Sequence, residues 1–99
     1  MPAKPVELHE DAALDYDAAF DWYLERSADA ARKFDAEFNR ALAEIAHAPQ
    51  RWASGSHNTR RFLLRKFPFL VIYRERLLDI QVLAVAHTSR RPGYWRERR

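Results

Sequence analysis

Basic side chains that bind anions are concentrated in the second half of the sequence. Two adjacent pairs stand out, Arg60–Arg61 and Arg65–Lys66, together with the five arginines of the tail from Arg90. The arginine guanidinium is a planar fork that binds a phosphate or a carboxylate through two parallel hydrogen bonds. We therefore expect a cationic surface that suits an RNA backbone or an acidic peptide. The plain alternative is a solvated face that binds nothing.

Three other side chains near these arginines have chemistry of their own. His87 precedes Arg90 by three residues. Its unperturbed pKa of about 6.5 suits a general acid or base, although a lone histidine more often only hydrogen-bonds the end of a strand. Tyr94 and Trp95 can stack on a nucleic-acid base. For Trp95 we favour the alternative, a hydrophobic latch that folds back onto the domain.

Composition excludes several kinds of site. The sequence contains no cysteine, which excludes a thiolate nucleophile, a disulfide and a zinc site built on cysteine. The other histidines lack the spacing of metal ligands, so we expect neither a metal nor a cofactor. Asp11, Asp15 and Asp17 have the spacing of a solvated helix face, which gives no basis for a two-carboxylate hydrolase.

The net charge of +3 hides an uneven distribution. Residues 11–50 contain nine acidic and four basic residues, a net charge of −5, whereas residues 51–99 contain twelve basic and three acidic residues, a net charge of +9. The first ten residues contribute −1. This division predicts an anionic partner for the C-terminal half, either a nucleic acid or an acidic protein, with charge pairing between the halves as the plain alternative.

Length and hydropathy indicate one small domain over residues 1–99, because 99 residues leave no room for a second core. The first ten residues lack an apolar run long enough for a signal peptide, and no later run approaches a membrane span. We expect a soluble, cytoplasmic protein.

Hydrophobic spacing predicts the elements that position these residues. An alternating segment at Val6–His9 predicts a strand, and from Asp11 apolar residues recur at three- and four-residue steps, which is typical of a helix. Ser27 is a capping residue, so we expect a break there and a second helix that ends before Pro49. Trp52–Asn58 is expected to be a polar connection.

Three strands are predicted in the remainder, at Thr59–Lys66, Phe69–Tyr73 and Asp79–His87. Strict alternation along the last strand would place Ile80, Val82, Ala84 and Ala86 on one face. Short connections favour antiparallel pairing. The order β-α-α-β-β-β predicts an α+β fold in which a helical hairpin packs on one face of a small antiparallel sheet.

Several segments, taken in order, resemble the RelE/ParE toxin superfamily. Trp22–Ser27 and Ala30–Phe34 are similar to its helical hairpin, and Ile45–Pro49 is similar to the end of its second helix. Arg61–Tyr73 resembles its strand pair, and Val82–Arg90 resembles its closing strand. The joint order of these segments spans nearly the whole chain.

The resemblance implies the toxin of a type II toxin–antitoxin module, often described as a plasmid stabilisation protein, which a cognate antitoxin wraps and neutralises. RelE-like members cut messenger RNA in the ribosome, and ParE-like members inhibit DNA gyrase. Leu70 stands where the nucleases typically carry an arginine, and Arg65 and Lys66 echo their lysine-rich stretch only in part. The sequence is therefore closer to the ParE-like branch.

The function that the resemblance implies is inhibition of DNA gyrase by protein–protein contact. The residues expected to bind the target or the antitoxin are Arg60, Arg61, Arg65, Lys66, His87, Arg90, Arg91, Tyr94 and Trp95. The alternative is a RelE-like endoribonuclease in which Arg65, His87, Arg90 and Tyr94 are catalytic, and a third is a non-toxic nucleic-acid-binding remnant. Deletion of the tail after His87 is expected to abolish toxicity without unfolding the protein.

Overall fold

The computed structural model describes residues 3–98, which form two helices and a five-stranded sheet. The elements are β1 (Val6–Leu8), α1 (Glu10–Arg26), α2 (Ala28–His47), β2 (Ala53–Ser54), β3 (Arg60–Leu63), β4 (Phe69–Glu75) and β5 (Ile80–His87). The sheet order is β1-β5-β4-β3-β2. The predicted α+β arrangement is confirmed. Neither helix of these residues has the length and apolar composition needed to cross a bilayer.

Local capping explains why the two helices meet in a tight hairpin. The Ser27 hydroxyl accepts a hydrogen bond from the Ala30 amide at the start of α2, while the Ser27 amide donates to the Tyr23 carbonyl at the end of α1. One residue thus satisfies backbone groups of both helix ends. At the other end of α1, the His9 imidazole accepts from the Asp11 amide. The predicted break at Ser27 is confirmed.

Both helices pack on the same face of the sheet through an aromatic core. Phe34 is fully buried, and it contacts the rings of Tyr16, Tyr23, Phe67 and Phe69 at centroid distances of 5.2–5.6 Å. Aromatic side chains bury more apolar area than other residues, which helps a domain of this size to remain folded. This core fixes α1 and α2 against β4 and β5.

The pairing of the sheet adds two features that the sequence pattern does not specify. β1 is parallel to β5, and all other neighbours are antiparallel. The expected polar connection at Trp52–Asn58 contains the short edge strand β2, which pairs with Arg60 and Arg61. β2 was missed because both of its residues are exposed, so it has no apolar alternation to detect.

A β-bulge interrupts β5. Ile72 of β4 pairs with Ala84, but Tyr73 pairs with Val82, so Leu83 is an extra residue in β5. The helix-facing residues of β5 are therefore Ile80, Val82 and Val85, and those on the other face are Leu83, Ala84 and Ala86. The prediction of uninterrupted alternation along this strand is wrong, because the bulge shifts the pattern by one residue.

Candidate functional site

A cavity of about 230 Å³ lies on the sheet face opposite the helices, and arginines surround it. The C-terminal arm, residues 88–98, forms one side, and the β2–β3 region forms the other. Its arginines are Arg60, Arg61, Arg90, Arg91 and Arg96. Leu70, Ile72, Ala86 and His87 complete it from β4 and β5. We call it the arginine cavity.

An apolar groove of about 380 Å³ lies beside this cavity. Trp22 and Tyr23 line one side from α1, and Phe69 and Val85 line the sheet side. The indole of Trp22 is 51% exposed, and the Arg26 guanidinium lies 3.6 Å from its ring centroid. The structure thus leaves a large aromatic surface open to solvent, as sites for protein partners commonly do.

Three predicted site residues belong to both depressions. His87, Arg90 and Tyr94 line the arginine cavity and also the apolar groove. The end of β5 supplies His87, and the first turns of the arm supply the other two. We call them the shared ridge. The cationic cavity and the apolar groove therefore meet along the shared ridge.

The hydrogen bonds of His87 determine which proton its neutral ring carries. Nδ1 accepts a hydrogen bond of 3.0 Å from the Ser89 amide, and the Ser89 hydroxyl lies 2.7 Å from the same atom. A backbone amide can only donate, so the ring proton of neutral His87 resides on Nε2. A ring in this form presents a donor to solvent, which suits binding of an anion and does not suit a general base at Nε2.

The Tyr94 hydroxyl is committed to the fold. It donates to Asp15 Oδ2 at 3.3 Å, and the Arg90 guanidinium lies 3.9 Å from its ring centroid. Burial, with the negative charge of Asp15 second, raises the pKa of Tyr94 above its usual value of 10.0. The phenol therefore stays protonated near neutral pH, and one of its ring faces carries a guanidinium.

Trp95 folds back onto the sheet, as expected. Its side chain is 8% exposed and packs against a second apolar cluster that includes Ile72, Leu83 and Ala86. Removal of the arm would expose this cluster to water, and truncation of a buried tryptophan to alanine alone typically costs about 3–5 kcal/mol. Contrary to the expectation from the sequence, we therefore expect deletion after His87 to destabilise the fold.

A carboxylate of α1 holds the end of the arm. Asp15 Oδ2 accepts from Arg98 at 2.6 Å and from the Val85 amide at 3.0 Å, and the Arg98 guanidinium also donates to the Leu83 carbonyl at 2.9 Å. β1 ends opposite Val82, so no strand lies beside these backbone groups of β5. The side chains of Asp15 and Arg98 satisfy them instead, and both are 15% exposed.

Two of the predicted residues, Arg65 and Lys66, lie outside the arginine cavity and the apolar groove. Arg65 and Lys66 form the β3–β4 turn and line a separate shallow depression with Glu37 of α2. The guanidinium of Arg60 donates to the Trp52 carbonyl at 2.8 Å. Arg65 therefore lines a different depression from His87 and Arg90, because the turn that carries it packs against α2.

Several residues of the site were not predicted from the sequence. Asp15 was assigned to a solvated helix face, whereas its carboxylate, 15% exposed, is a partner of the arm. Arg96 and Trp22 were not among the residues expected to bind a partner, although Arg96 lines the arginine cavity and Trp22 lines the apolar groove. Within residues 3–98, no group of three His, Asp or Glu side chains is arranged to hold a metal ion.

Comparison with known proteins identifies the class to which this fold and site belong. A family model described as the ParE toxin of the type II toxin–antitoxin system parDE matches residues 6–92. Among solved structures, the chain is similar to one from the chromosomal ParDE TA system from P. aeruginosa, with a TM-score of 0.74 and 21% identity over 86% of this chain and 96% of that chain. At this identity the likeness shows the fold. No curated protein matches significantly.

The chain is thus a toxin-type domain of the type II toxin–antitoxin class. It belongs to the ParE toxin family, because the family model covers most of its length. The resemblance seen in the sequence is confirmed.

Proposed function

We propose that this protein inhibits DNA gyrase by protein–protein contact in the cytoplasm, and that a cognate antitoxin neutralises it. The apolar groove and the shared ridge form the contact surface. Membership of the ParE family supports this proposal. The groove supports it as well, because it exposes aromatic surface of Trp22 beside cationic side chains.

The observation that carries the proposal is the position and the hydrogen bonding of the four residues that the ribonuclease alternative requires as catalysts. Arg65 lies in a separate depression, and the Tyr94 hydroxyl is bonded to Asp15. His87 carries its neutral-ring proton on Nε2, because Nδ1 accepts from Ser89. Cleavage through a 2′-hydroxyl needs a base, an acid and a cation within reach of one phosphate. Arg65 therefore lies apart from the other three residues, while His87 Nδ1 and the Tyr94 hydroxyl are engaged in structural contacts, which favours binding over catalysis.

The surface of α1 supports the proposed antitoxin. Leu14, Trp22 and Leu24 are 63%, 51% and 48% exposed, so the helix carries apolar side chains on its outer surface as well as towards the core. Exposed apolar surface of this kind marks interaction sites. The adjoining shared ridge is cationic, so an antitoxin segment with both apolar and acidic residues is complementary to it.

Controlled induction of the protein in bacteria tests the target, with DNA and protein synthesis followed separately by pulse labelling. We expect DNA synthesis to stop first, and we expect the purified protein to inhibit supercoiling by gyrase. If protein synthesis stops first and transcripts are cut within codons, the ribonuclease alternative replaces the proposal. Unimpaired growth together with unimpaired supercoiling would contradict both functions.

A matched pair of variants tests the surface. Trp22→Ala removes the exposed indole of the groove. Leu77→Ala removes an 86% exposed side chain in the β4–β5 turn, at the end of the β4–β5 hairpin that is remote from the groove. We expect Trp22→Ala to weaken inhibition of supercoiling at least about tenfold, the scale of one interface aromatic. Leu77→Ala is expected to leave inhibition unchanged. Equal inhibition by both variants would exclude the groove as the contact surface.

A further inference from the structure

We infer that the arginine cavity is a binding site for phosphodiester groups, and that its ligand is the backbone of duplex DNA. This inference deepens the proposed function, since a gyrase inhibitor meets a protein that holds DNA. It begins with the charges of the cavity. Arg61, Arg90, Arg91 and Arg96 line it, and no carboxylate of residues 3–98 lies within ion-pair distance of their guanidinium groups.

These unpaired guanidinium groups contrast with several basic residues elsewhere in the described chain that have carboxylate partners. Lys4 pairs with Glu75, Arg40 with Glu37 and Glu44, Arg76 with Asp79, and Arg98 with Asp15. Each of these pairs neutralises a cation within the fold. The arginine cavity therefore concentrates positive charge that the fold does not compensate, and such a concentration attracts polyanions.

The arm that carries three of the four arginines is fixed to the domain. Trp95 is buried against the sheet, and Arg98 is bonded to Asp15. Gly93 has a φ of +78°, and a β-carbon at this position would lie 2.5 Å from Cζ of Arg96, so the Arg96 side chain folds closely over the glycine. A pre-formed arrangement loses less conformational entropy when it binds than a mobile tail does.

The other lining groups favour a phosphate over an acidic peptide. Ser56 and Thr88 supply exposed hydroxyl groups at the cavity, and such groups commonly contact phosphate oxygens. A peptide needs apolar pockets for its anchor side chains. Ile72 and Ala86 are 5% and 6% exposed, and the cavity offers less apolar surface than the apolar groove next to it.

The aromatic residues favour a duplex over a single strand. Proteins that bind single strands stack exposed rings on unpaired bases. Trp95 is 8% exposed, and the guanidinium groups of Arg90 and Arg98 lie 3.9 Å and 5.0 Å from the Tyr94 ring centroid, so the two rings offer little open stacking surface. Contacts limited to the backbone suit a ligand whose bases stay paired. The shared ridge joins this cavity to the groove, so one partner made of protein and DNA can contact both.

Titration of a labelled duplex of about 20 base pairs with the purified protein, at salt concentrations from about 50 to about 200 mM, tests the inference without gyrase. The double variant Arg61→Ala, Arg91→Ala removes two exposed cavity arginines. Its control, Arg32→Ala, Arg51→Ala, removes two exposed arginines elsewhere and changes the net charge equally. Both doubles change only exposed side chains, and their urea unfolding verifies that they are folded.

We expect the cavity double to reduce the slope of log affinity against log salt by about 2, since each phosphate contact contributes about 0.9. The control should keep the slope of the unmodified protein. Equal slopes for the two doubles, or no binding of the duplex by the unmodified protein, would overturn the inference. Tighter binding of single-stranded RNA, or of a glutamate-rich peptide, would also overturn it. If the cavity double loses duplex binding but still inhibits gyrase, the proposed function stands. The DNA site would then be distinct from the surface that contacts gyrase.

Discussion

At the scale of single residues, Asp15 joins three parts of the fold through one carboxylate. It lies on α1, accepts from the Val85 amide of β5, and pairs with Arg98 of the arm. Burial disfavours the charge of Arg98, but the hydrogen bond and the charge of Asp15 outweigh it, so the pKa of Arg98 lies above its usual value. The pair is stable because it also satisfies backbone groups, and a buried charge left without its partner destabilises a fold strongly.

The substitution Asp15→Asn tests this role. The amide keeps the shape but loses the charge, so Arg98 stays largely buried without its anion. We expect the free energy of unfolding to fall by about 3 kcal/mol, measured by urea denaturation at neutral pH. Asp21→Asn, at an exposed position of the same helix, is the control and should change it by less than about 0.5 kcal/mol. Similar values for the two variants would show that Asp15 does not anchor the arm.

The burial of Asp15 could not be predicted from the local sequence. Helical periodicity places a residue on a face, and Asp15 does lie off the main apolar stripe. Its burial depends on Arg98, which is 83 residues away along the chain and folds over that face of α1. The packing of Trp95 onto the sheet was predictable. Burial of a large apolar side chain is favourable, and the sheet face without helices was available to cover it.

At the scale of elements, Glu37 connects α2 to the β3–β4 turn. Its carboxylate accepts from the Arg65 amide at 2.6 Å and from Arg40 at 2.7 Å. Burial raises the pKa of Glu37, but these hydrogen bonds oppose it and prevail, so the pKa lies below its usual value of 4.5. A carboxyl whose pKa is lower in the folded state stabilises the fold above its unfolded pKa. This contribution is lost as the pH falls through the folded value.

The substitution Glu37→Gln therefore has a pH-dependent effect. At pH ~7 we expect it to reduce the free energy of unfolding by about 1–2 kcal/mol, because the charged acceptor of three hydrogen bonds is lost. As the pH falls through the lowered pKa of Glu37 the difference should shrink, because the carboxyl of the unmodified protein becomes protonated. Urea unfolding over a series of pH values from ~7 downward measures it. Glu25→Gln, with a side chain 77% exposed, should show no such dependence, and a constant difference for Glu37→Gln would contradict the argument.

The elements differ in how far the sequence specified them. The helical hairpin was predictable, since Ser27 offers a cap between two periodic segments, and so were the buried strands β4 and β5. β2 was not, because Ala53 and Ser54 acquire their strand conformation only through pairing with β3. The bulge at Leu83 and the parallel β1–β5 pair depend on long-range register, which periodicity does not encode.

At the scale of the whole molecule, the fold places an apolar depression next to a cationic one. The apolar groove lies between α1 and the sheet, and the arginine cavity lies on the opposite face of the sheet. The arm connects them, since its residues Arg90 and Tyr94 line both. An antitoxin that covers the groove and the shared ridge would block access to both sites, which gives a physical basis for neutralisation by one bound segment.

This arrangement predicts that a charge in the groove weakens antitoxin binding. Ala18 is exposed on α1 and lines the groove, so Ala18→Glu fills it with a charged side chain and repels an acidic segment without disturbing the core. We expect the Kd for the cognate antitoxin to rise at least about tenfold, which equals about 1.4 kcal/mol, measured by isothermal titration calorimetry. Ala43→Glu, at an exposed position of α2 outside the groove, is the matched control and should keep the affinity of the unmodified protein. Equal affinities for both variants would place the antitoxin elsewhere, and neutralisation would then need a mechanism other than covering of this surface.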